Sequence, residues 1–130
     1  MASSARDLSA DFIVLDPQQG AAPVTRTDSL YEELDARFDG FRDHWLMAVH
    51  AFDAGWPTWE VHPAGDEVVA LVSGSATLLL DTNDGEESVA LTQPGSYVIV
   101  PRGVWHTARI GHSARMLFLT PGEGTENRPR

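Results

Sequence analysis

The sequence contains no cysteine, and its nine basic residues are all arginine. Without cysteine the chain has no disulfide, no thiolate metal ligand and no cysteine nucleophile. The arginines are scattered along the chain, and the 19 acidic residues outnumber them, so that the formal net charge is -10. Nucleic acids and anionic membrane surfaces bind through clustered basic side chains, and we therefore expect neither as a partner.

Long hydrophobic runs are also missing. No apolar run approaches the roughly 18 residues that a transmembrane helix needs. The first residues, 1–7, lack the hydrophobic region of a signal peptide, and we expect a cytoplasmic protein. At 130 residues, with 42% hydrophobic and 22% charged residues, the chain has the size and composition of one globular domain.

The first part of the chain is predicted to be an N-terminal arm, residues 1–27. It contains one possible short strand, at 12–15, and a Gly/Ala/Pro-rich stretch at 18–24 that we interpret as a loop. One short helix is predicted over residues 28–39, because apolar side chains recur there every four residues. Thr27 is the predicted cap and Gly40 the predicted end. We expect this helix to pack on the outside of a barrel.

From residue 43 onward the pattern is typical of an all-β domain. Short apolar segments alternate with turns rich in glycine and proline, which favours a small antiparallel barrel or sandwich. The tail after Pro121 is predicted to be loose. The predicted strands cover residues 45–52, 58–62, 67–72, 75–80, 88–91, 96–100, 104–110 and 114–120.

Two of these strands, on either side of the pair Ser73-Gly74, are predicted to form a hairpin. A two-residue turn there places one set of side chains on the inner face: Glu67, Val69, Leu71, Ala76, Leu78 and Leu80. The opposite face is nearly as apolar and must be covered, by the N-terminal segment or by a second subunit in a homodimer. It carries Val68, Ala70, Val72, Thr77 and Leu79.

Metal-ligand residue types gather around the first of these strands. Glu60 and His62 are two residues apart, so on a strand they share one face. Glu67 follows after the turn-rich stretch 63–66, and a later histidine, His106, could complete the set. Such nitrogen and oxygen ligands suit Fe, Mn, Zn or Ni, and the sequence does not choose among these divalent ions.

Two patterns resemble the motifs of the cupins, a superfamily of small β-barrel proteins. Their first motif, G-x5-H-x-H-x3,4-E-x6-G, is similar to the pattern Glu60-x-His62-x4-Glu67-x6-Gly74. Their second motif, G-x5-P-x-G-x2-H-x3-N, is similar to the pattern Gly95-x5-Pro101-x-Gly103-x2-His106. The sequence departs from the motifs at three positions. Glu60 replaces the first histidine, Gly55 stands one residue too close to it, and Ile110 replaces the final asparagine.

The resemblance implies a single cupin domain over residues 28–130, a small antiparallel β-barrel or jelly roll that contains the short helix. It also implies one divalent metal ion bound inside the barrel by Glu60, His62, Glu67 and His106. The interior is expected to be mostly apolar, which favours a small, partly apolar ligand. The residues expected to line it are Val69, Leu71, Leu78, Ile99, Val104 and Ile110. Trp45, Tyr97 and Trp105 could line it as well, but aromatic packing in the core is the role expected of each.

The leading functional hypothesis is a metal-dependent enzyme that acts on a small organic molecule. Dioxygenase chemistry and isomerase or lyase chemistry both remain open. Glu60 is the candidate catalytic residue, and it could coordinate the metal, act as a general base, or face a polar pocket without metal. The alternatives are a non-catalytic barrel that binds a small molecule or senses a metal, and a barrel without metal. His50 lies in an apolar strand, and we interpret it as a core histidine or one that supports a ligand.

Overall fold

The computed structural model describes residues 4–130, which form two antiparallel sheets and two clusters of buried apolar side chains. The larger sheet has the strand order β2-β1-β3-β10-β5-β8, and the smaller has the order β11-β4-β9-β6-β7. The sheets pack as a sandwich of the jelly-roll kind and do not close into a barrel. The strands are β1 (Asp11–Leu15), β2 (Ala21–Thr25), β3 (Trp45–Phe52), β4 (Thr58–Val61), β5 (Glu67–Gly74), β6 (Ala76–Thr82), β7 (Gly85–Leu91), β8 (Tyr97–Val100), β9 (Trp105–Arg109), β10 (Ala114–Thr120) and β11 (Glu126–Pro129).

The predicted all-β fold with one short helix is confirmed. The helix, α1 (Leu30–Arg37), is two residues shorter than predicted at each end, and a 3-10 turn at Asp39–Phe41 follows it. The residue at the N-cap of the helix is Ser29, not the predicted Thr27, and it makes no side-chain capping hydrogen bond. The Thr27 hydroxyl donates to the Glu33 carboxylate. The helix also does not lie outside the sandwich. Its buried residues Leu30 and Leu34 pack in a second apolar cluster with side chains of β1 and β3.

Both ends of the described chain are more regular than predicted. The stretch that was predicted to be a loop contains most of β2, which pairs with β1 at the edge of the larger sheet. An edge strand can include Pro23 because the outer side of such a strand makes no hydrogen bonds within the sheet. The tail read as loose contains β11, which pairs with β4. The first three residues of the predicted N-terminal arm lie outside the described part of the chain. Within residues 4–130, no helix combines the length and the apolar character needed to cross a membrane.

The predicted hairpin between β5 and β6 is wrong, although its inner face is right. β5 pairs with β10 and β8, while β6 pairs with β7 and β9 in the other sheet. The chain therefore passes from one sheet to the other at Gly74, where the Ser75 amide donates to the Ser113 carbonyl. Odd-numbered residues face inward along β5 and even-numbered residues face inward along β6, as they would on either side of a two-residue turn. The predicted inner set is therefore buried: Glu67, Val69, Leu71, Ala76, Leu78 and Leu80.

The predicted outer face changes more, because the two strands lie in different sheets. Val68, Ala70 and Val72 remain on the outer face of the larger sheet, next to β8. Thr77 and Leu79 belong to the smaller sheet, and Leu79 is buried. The outer face therefore consists of residues from β5 and β8, not of one hairpin.

Candidate metal centre

Three of the four predicted ligands meet between the two sheets. His62 follows the end of β4, His106 lies on β9 in the same sheet, and Glu67 begins β5 in the opposite sheet. One ring nitrogen of each histidine and one carboxylate oxygen of Glu67 all lie within 4.8 Å of one another. The side chains are 4%, 0% and 3% exposed, for His62, His106 and Glu67 respectively. Local spacing predicted His62 and Glu67 at one site and the motif resemblance predicted His106, and the three form a compact, buried cluster.

The atoms at the centre of this cluster are close but not hydrogen-bonded. His62 Nε2 lies 3.3 Å from Glu67 Oε2, and His106 Nε2 lies 3.0 Å from Glu67 Oε1. Among the described residues, neither histidine Nε2 nor Glu67 Oε1 has a hydrogen-bond partner, although all three atoms are buried. The two nitrogen–oxygen contacts are therefore short, but neither has an N–H group aligned towards the carboxylate oxygen. Glu67 Oε2 accepts a hydrogen bond of 2.6 Å from the Thr120 hydroxyl.

The other nitrogen of each imidazole fixes its tautomer. His106 Nδ1 lies 3.1 Å from the Val104 carbonyl, which only accepts, so Nδ1 carries the hydrogen. His62 Nδ1 lies 2.8 Å from the Thr125 hydroxyl, whose own hydrogen is donated to the Gly122 carbonyl. The hydroxyl oxygen therefore accepts from His62 Nδ1–H. In the neutral rings both Nε2 atoms carry a lone pair, and both face the Glu67 carboxylate.

Two nitrogen lone pairs and a carboxylate repel one another unless a positive charge lies among them. Burial alone opposes the ionised form of Glu67, but the adjacent His106 and His62 outweigh it and lower the Glu67 pKa to about 2. Burial likewise opposes charge on His106, but the Glu67 carboxylate and the Val104 carbonyl outweigh it and raise the His106 pKa. A proton can supply this charge, and the two nitrogens and the carboxylate oxygen are also the donor set of a divalent metal site.

Glu60, the fourth predicted ligand, lies beside this group and not within it. Its backbone pairs with that of His106 across β4 and β9, and its side chain borders the same cavity. Burial, followed by the negative charge of Glu67, raises the Glu60 pKa, against the opposing influence of His62 and His106. Coordination of a metal by Glu60 stays a prediction.

The cluster opens into a cavity of about 580 Å³ that extends to α1. The sequence did not predict its walls. Of the residues expected to line it, Val69, Leu71, Leu78 and Ile110 pack in the core instead, and Ile99 is 51% exposed on the outer face. The residues that do line it come largely from α1, from β3 and the segment after it, and from the end of the chain. They include Tyr31, Leu34, His50, Phe52, Trp56, Phe118, Thr120 and Thr125.

We expect Thr125 to control the metal affinity of this site through His62. Replacing Thr125 with valine keeps the shape of the side chain but removes the acceptor of His62 Nδ1–H, and the loss of such a partner typically costs about 10- to 100-fold in metal affinity. Calorimetric titration with Zn(II) measures the change. The control is Thr125→Ser, which keeps the hydroxyl and should keep the affinity. Equal affinity in the valine variant would show that Thr125 does not orient His62.

Comparisons with known proteins identify the fold. No protein-family model matches the sequence, and no curated protein matches it either. Among solved structures, an oxalate oxidase studied by structure and spectroscopy superposes with a TM-score of 0.53 over 62% of this chain, at 20% identity. An oxalate oxidase in complex with glycolate gives a TM-score of 0.54 over 63% of the chain, at 18% identity.

A third solved structure is oxalate decarboxylase from Bacillus subtilis, a protein with Mn(II) centres, which gives a TM-score of 0.52 over 65% of this chain at 15% identity. The match covers 44% and 45% of the two oxidase chains and 23% of the decarboxylase chain. Oxalate oxidase and oxalate decarboxylase are cupins, so the chain shares the cupin fold. At these identities the comparison concerns the fold alone.

Proposed function

From the cupin fold and its buried cluster, we propose that this protein binds one divalent metal ion through His62, Glu67 and His106 and is a metal-dependent enzyme for a small organic molecule. One observation carries the proposal: two imidazole nitrogens and a carboxylate oxygen, all buried and drawn from two sheets, lie within 4.8 Å of one another. Within residues 4–130, both histidine Nε2 atoms and Glu67 Oε1 have no hydrogen-bond partner. Unpaired buried polar atoms are costly, and a cation shared among them removes that cost. Manganese is the first ion to test, because the similar decarboxylase has Mn(II) centres.

The residues of the chain have distinct parts in this proposal. Thr120 orients the Glu67 carboxylate, while Thr125 and the Val104 carbonyl hold the two imidazoles with Nε2 towards the centre. The bound ion supplies Lewis acidity, and iron or manganese also supplies redox chemistry. The cavity walls bind the organic molecule beside the cluster. The reaction is of the dioxygenase or the isomerase/lyase type.

Glu60 is proposed to move a proton on the bound molecule. Burial and the charge of Glu67 raise its pKa, and its position beside the cluster places it next to any molecule bound there. Glu60→Gln and Glu60→Ala separate this role from coordination, with Zn(II) affinity as the measurement. Unchanged Zn(II) affinity in both variants supports the proton-moving role. A loss of about 100-fold or more in both would make Glu60 the fourth ligand.

The pH dependence of stability is expected to differ between the metal-free and the Zn(II)-loaded protein. In the metal-free form, the lowered Glu67 pKa contributes stability above about pH 4.5, and this stability is lost as the pH falls towards 2. The raised His106 pKa contributes stability below 6.5, which is lost as pH rises through the folded-state value. Glu67 and His106 together therefore contribute most to the stability of the metal-free protein between about pH 4.5 and 6.5, while the raised Glu60 pKa acts in the opposite direction there.

Zn(II) is expected to make the stability of the protein rise with pH on the alkaline side, where the metal-free protein loses stability. The reason is that Zn(II) must displace the proton held by His106. The stabilisation by Zn(II) should grow as pH rises through the folded-state pKa of His106. Thermal unfolding at a series of pH values, with chelator or with excess Zn(II), measures both curves. Parallel curves above pH 6.5 would contradict the view that proton and metal compete for one site.

A homodimer is also proposed, through the outer face of β5 and β8. Tyr97 and Ile99 on β8 are 63% and 51% exposed, and their strand neighbours are Ala70 and Val68 on β5. Such a contiguous apolar surface favours contact with a second copy. Light scattering is expected to give twice the chain mass for the natural protein and a single chain mass for Ile99→Asp. A monomeric natural protein would end this proposal.

A further inference from the structure

The charges in the cavity restrict what can bind beside the cluster. Among residues 4–130 its lining contains three carboxylates, those of Asp35, Glu60 and Glu67, and no arginine. A divalent ion among these carboxylates leaves one net negative charge when all three are ionised and no net charge when one of them is protonated. A ligand with two negative charges would therefore make the buried site anionic without a basic partner, which is unfavourable. The lining suits a ligand with at most one negative charge.

The shape of the cavity comes from a continuous wall of rings. Phe118 lies at 5.6 Å from His50, at 6.1 Å from Phe52 and at 5.8 Å from Trp56, measured between ring centroids. Trp56 in turn lies 6.2 Å from His106, so the wall reaches the metal cluster. Faces and edges of this kind stabilise another flat ring placed at stacking or T-shaped distance. A ring bound against the wall would lie directly beside the cluster.

Two polar side chains also border the cavity. The Tyr31 hydroxyl on α1 lies 3.4 Å from His50 Nε2 on β3, and both residues line the cavity. They can donate to or accept from one polar substituent of a bound molecule. The cavity thus combines metal-ligand residues, aromatic rings and this polar pair, and its approximate volume of 580 Å³ exceeds what a two-carbon acid requires.

We propose that the ligand of this cavity is a flat aromatic molecule with two adjacent oxygen atoms and at most one negative charge, and not a small dicarboxylate such as oxalate. This inference rests on the proposed function, because the two oxygens would face the ion held by His62, Glu67 and His106. The similar proteins are oxalate enzymes, so the proposal separates this chain from them by the chemistry of its cavity.

Two probes that chelate through neighbouring oxygens test the proposal, namely 2,3-dihydroxynaphthalene and oxalate. Each is titrated calorimetrically into Zn(II)-loaded protein, since zinc excludes redox turnover. We expect the naphthalenediol to bind at least about 10-fold more tightly, since each added aromatic contact typically contributes about 2- to 10-fold. Equal or tighter binding of oxalate would overturn the proposal.

Two variants show whether the aromatic wall is responsible. Phe52→Leu shortens the wall at a partly buried position and should lower the naphthalenediol affinity by about 2- to 10-fold, with the oxalate and Zn(II) affinities unchanged. Tyr97→Leu removes an aromatic ring from the outer face and should change neither. An unchanged naphthalenediol affinity in Phe52→Leu would overturn the assignment of the wall. Failure of the natural protein to bind Zn(II) would instead overturn the proposed metal centre.

Discussion

Replacing Glu67 with glutamine is expected to lower the affinity for Mn(II) or Zn(II) by more than about 100-fold. The loss of a metal ligand should lower the affinity at least as much as the loss of a residue that only orients a ligand. Glutamine has the same shape and can still accept from the Thr120 hydroxyl, but it removes the only carboxylate within the 4.8 Å group found among the described residues. The neutral amide no longer offsets the charge of the ion. Titration of chelator-treated protein measures the loss, and circular dichroism checks the fold.

The matched control is Glu87→Gln, which makes the same chemical change at an exposed position on β7. Its metal affinity should equal that of the natural protein. If Glu67→Gln binds metal within about threefold of the natural protein, where a lost ligand predicts about 100-fold, Glu67 is not a ligand and the proposed centre is wrong. A loss in both variants would point to a general effect of the net charge.

The second large effect is expected at Gly74, where the chain crosses between the sheets. Gly74 has a φ of +78°, and a Cβ there would collide with the Ser113 carbonyl and lie 2.9 Å from Ala114 Cα. These contacts are backbone atoms, which cannot rotate away as a side chain can. Gly74→Ala should destabilise the protein by roughly 2–5 kcal/mol, from the left-handed backbone and the overpacking together. Urea unfolding monitored by tryptophan fluorescence measures the change.

Gly103→Ala serves as the control for the backbone contribution. Gly103 has a similar φ of +74°, but a Cβ there would meet nothing within 4 Å. Its alanine variant should lose only about 1–2 kcal/mol. Equal destabilisation by the two substitutions would show that the contact with Ser113 and Ala114 contributes nothing, and that the crossing between sheets tolerates a side chain.

His62 and Glu67 were predictable from local spacing, but His106 was not. The spacing of Glu60 and His62 places both on one face of a strand, and the turn-rich stretch before Glu67 returns the chain towards the site. The position of His106 followed from the motif resemblance alone. These signals depend on short stretches, and they remain valid whichever strands pair.

Strand pairing was not predictable in the same way. Ser73-Gly74 has the composition of a hairpin turn, and only the competing partners β10, β8, β7 and β9 draw β5 and β6 into different sheets. The hydroxyls of Thr120 and Thr125 were missed for a related reason. Each lies more than 50 positions from the side chain that it contacts, and no local pattern marks such a threonine. The cavity walls depend on the same distant pairings.

Metal analysis of the purified protein shows whether this fold holds one divalent ion. The protein is prepared without a nickel column or chelators, and its metal content is measured by mass spectrometry beside that of Glu67→Gln. We expect about one equivalent of a divalent transition metal in the natural protein and almost none in the variant. No metal in the natural protein, even after each of Mn(II), Fe(II), Zn(II) and Ni(II) is added, would contradict it.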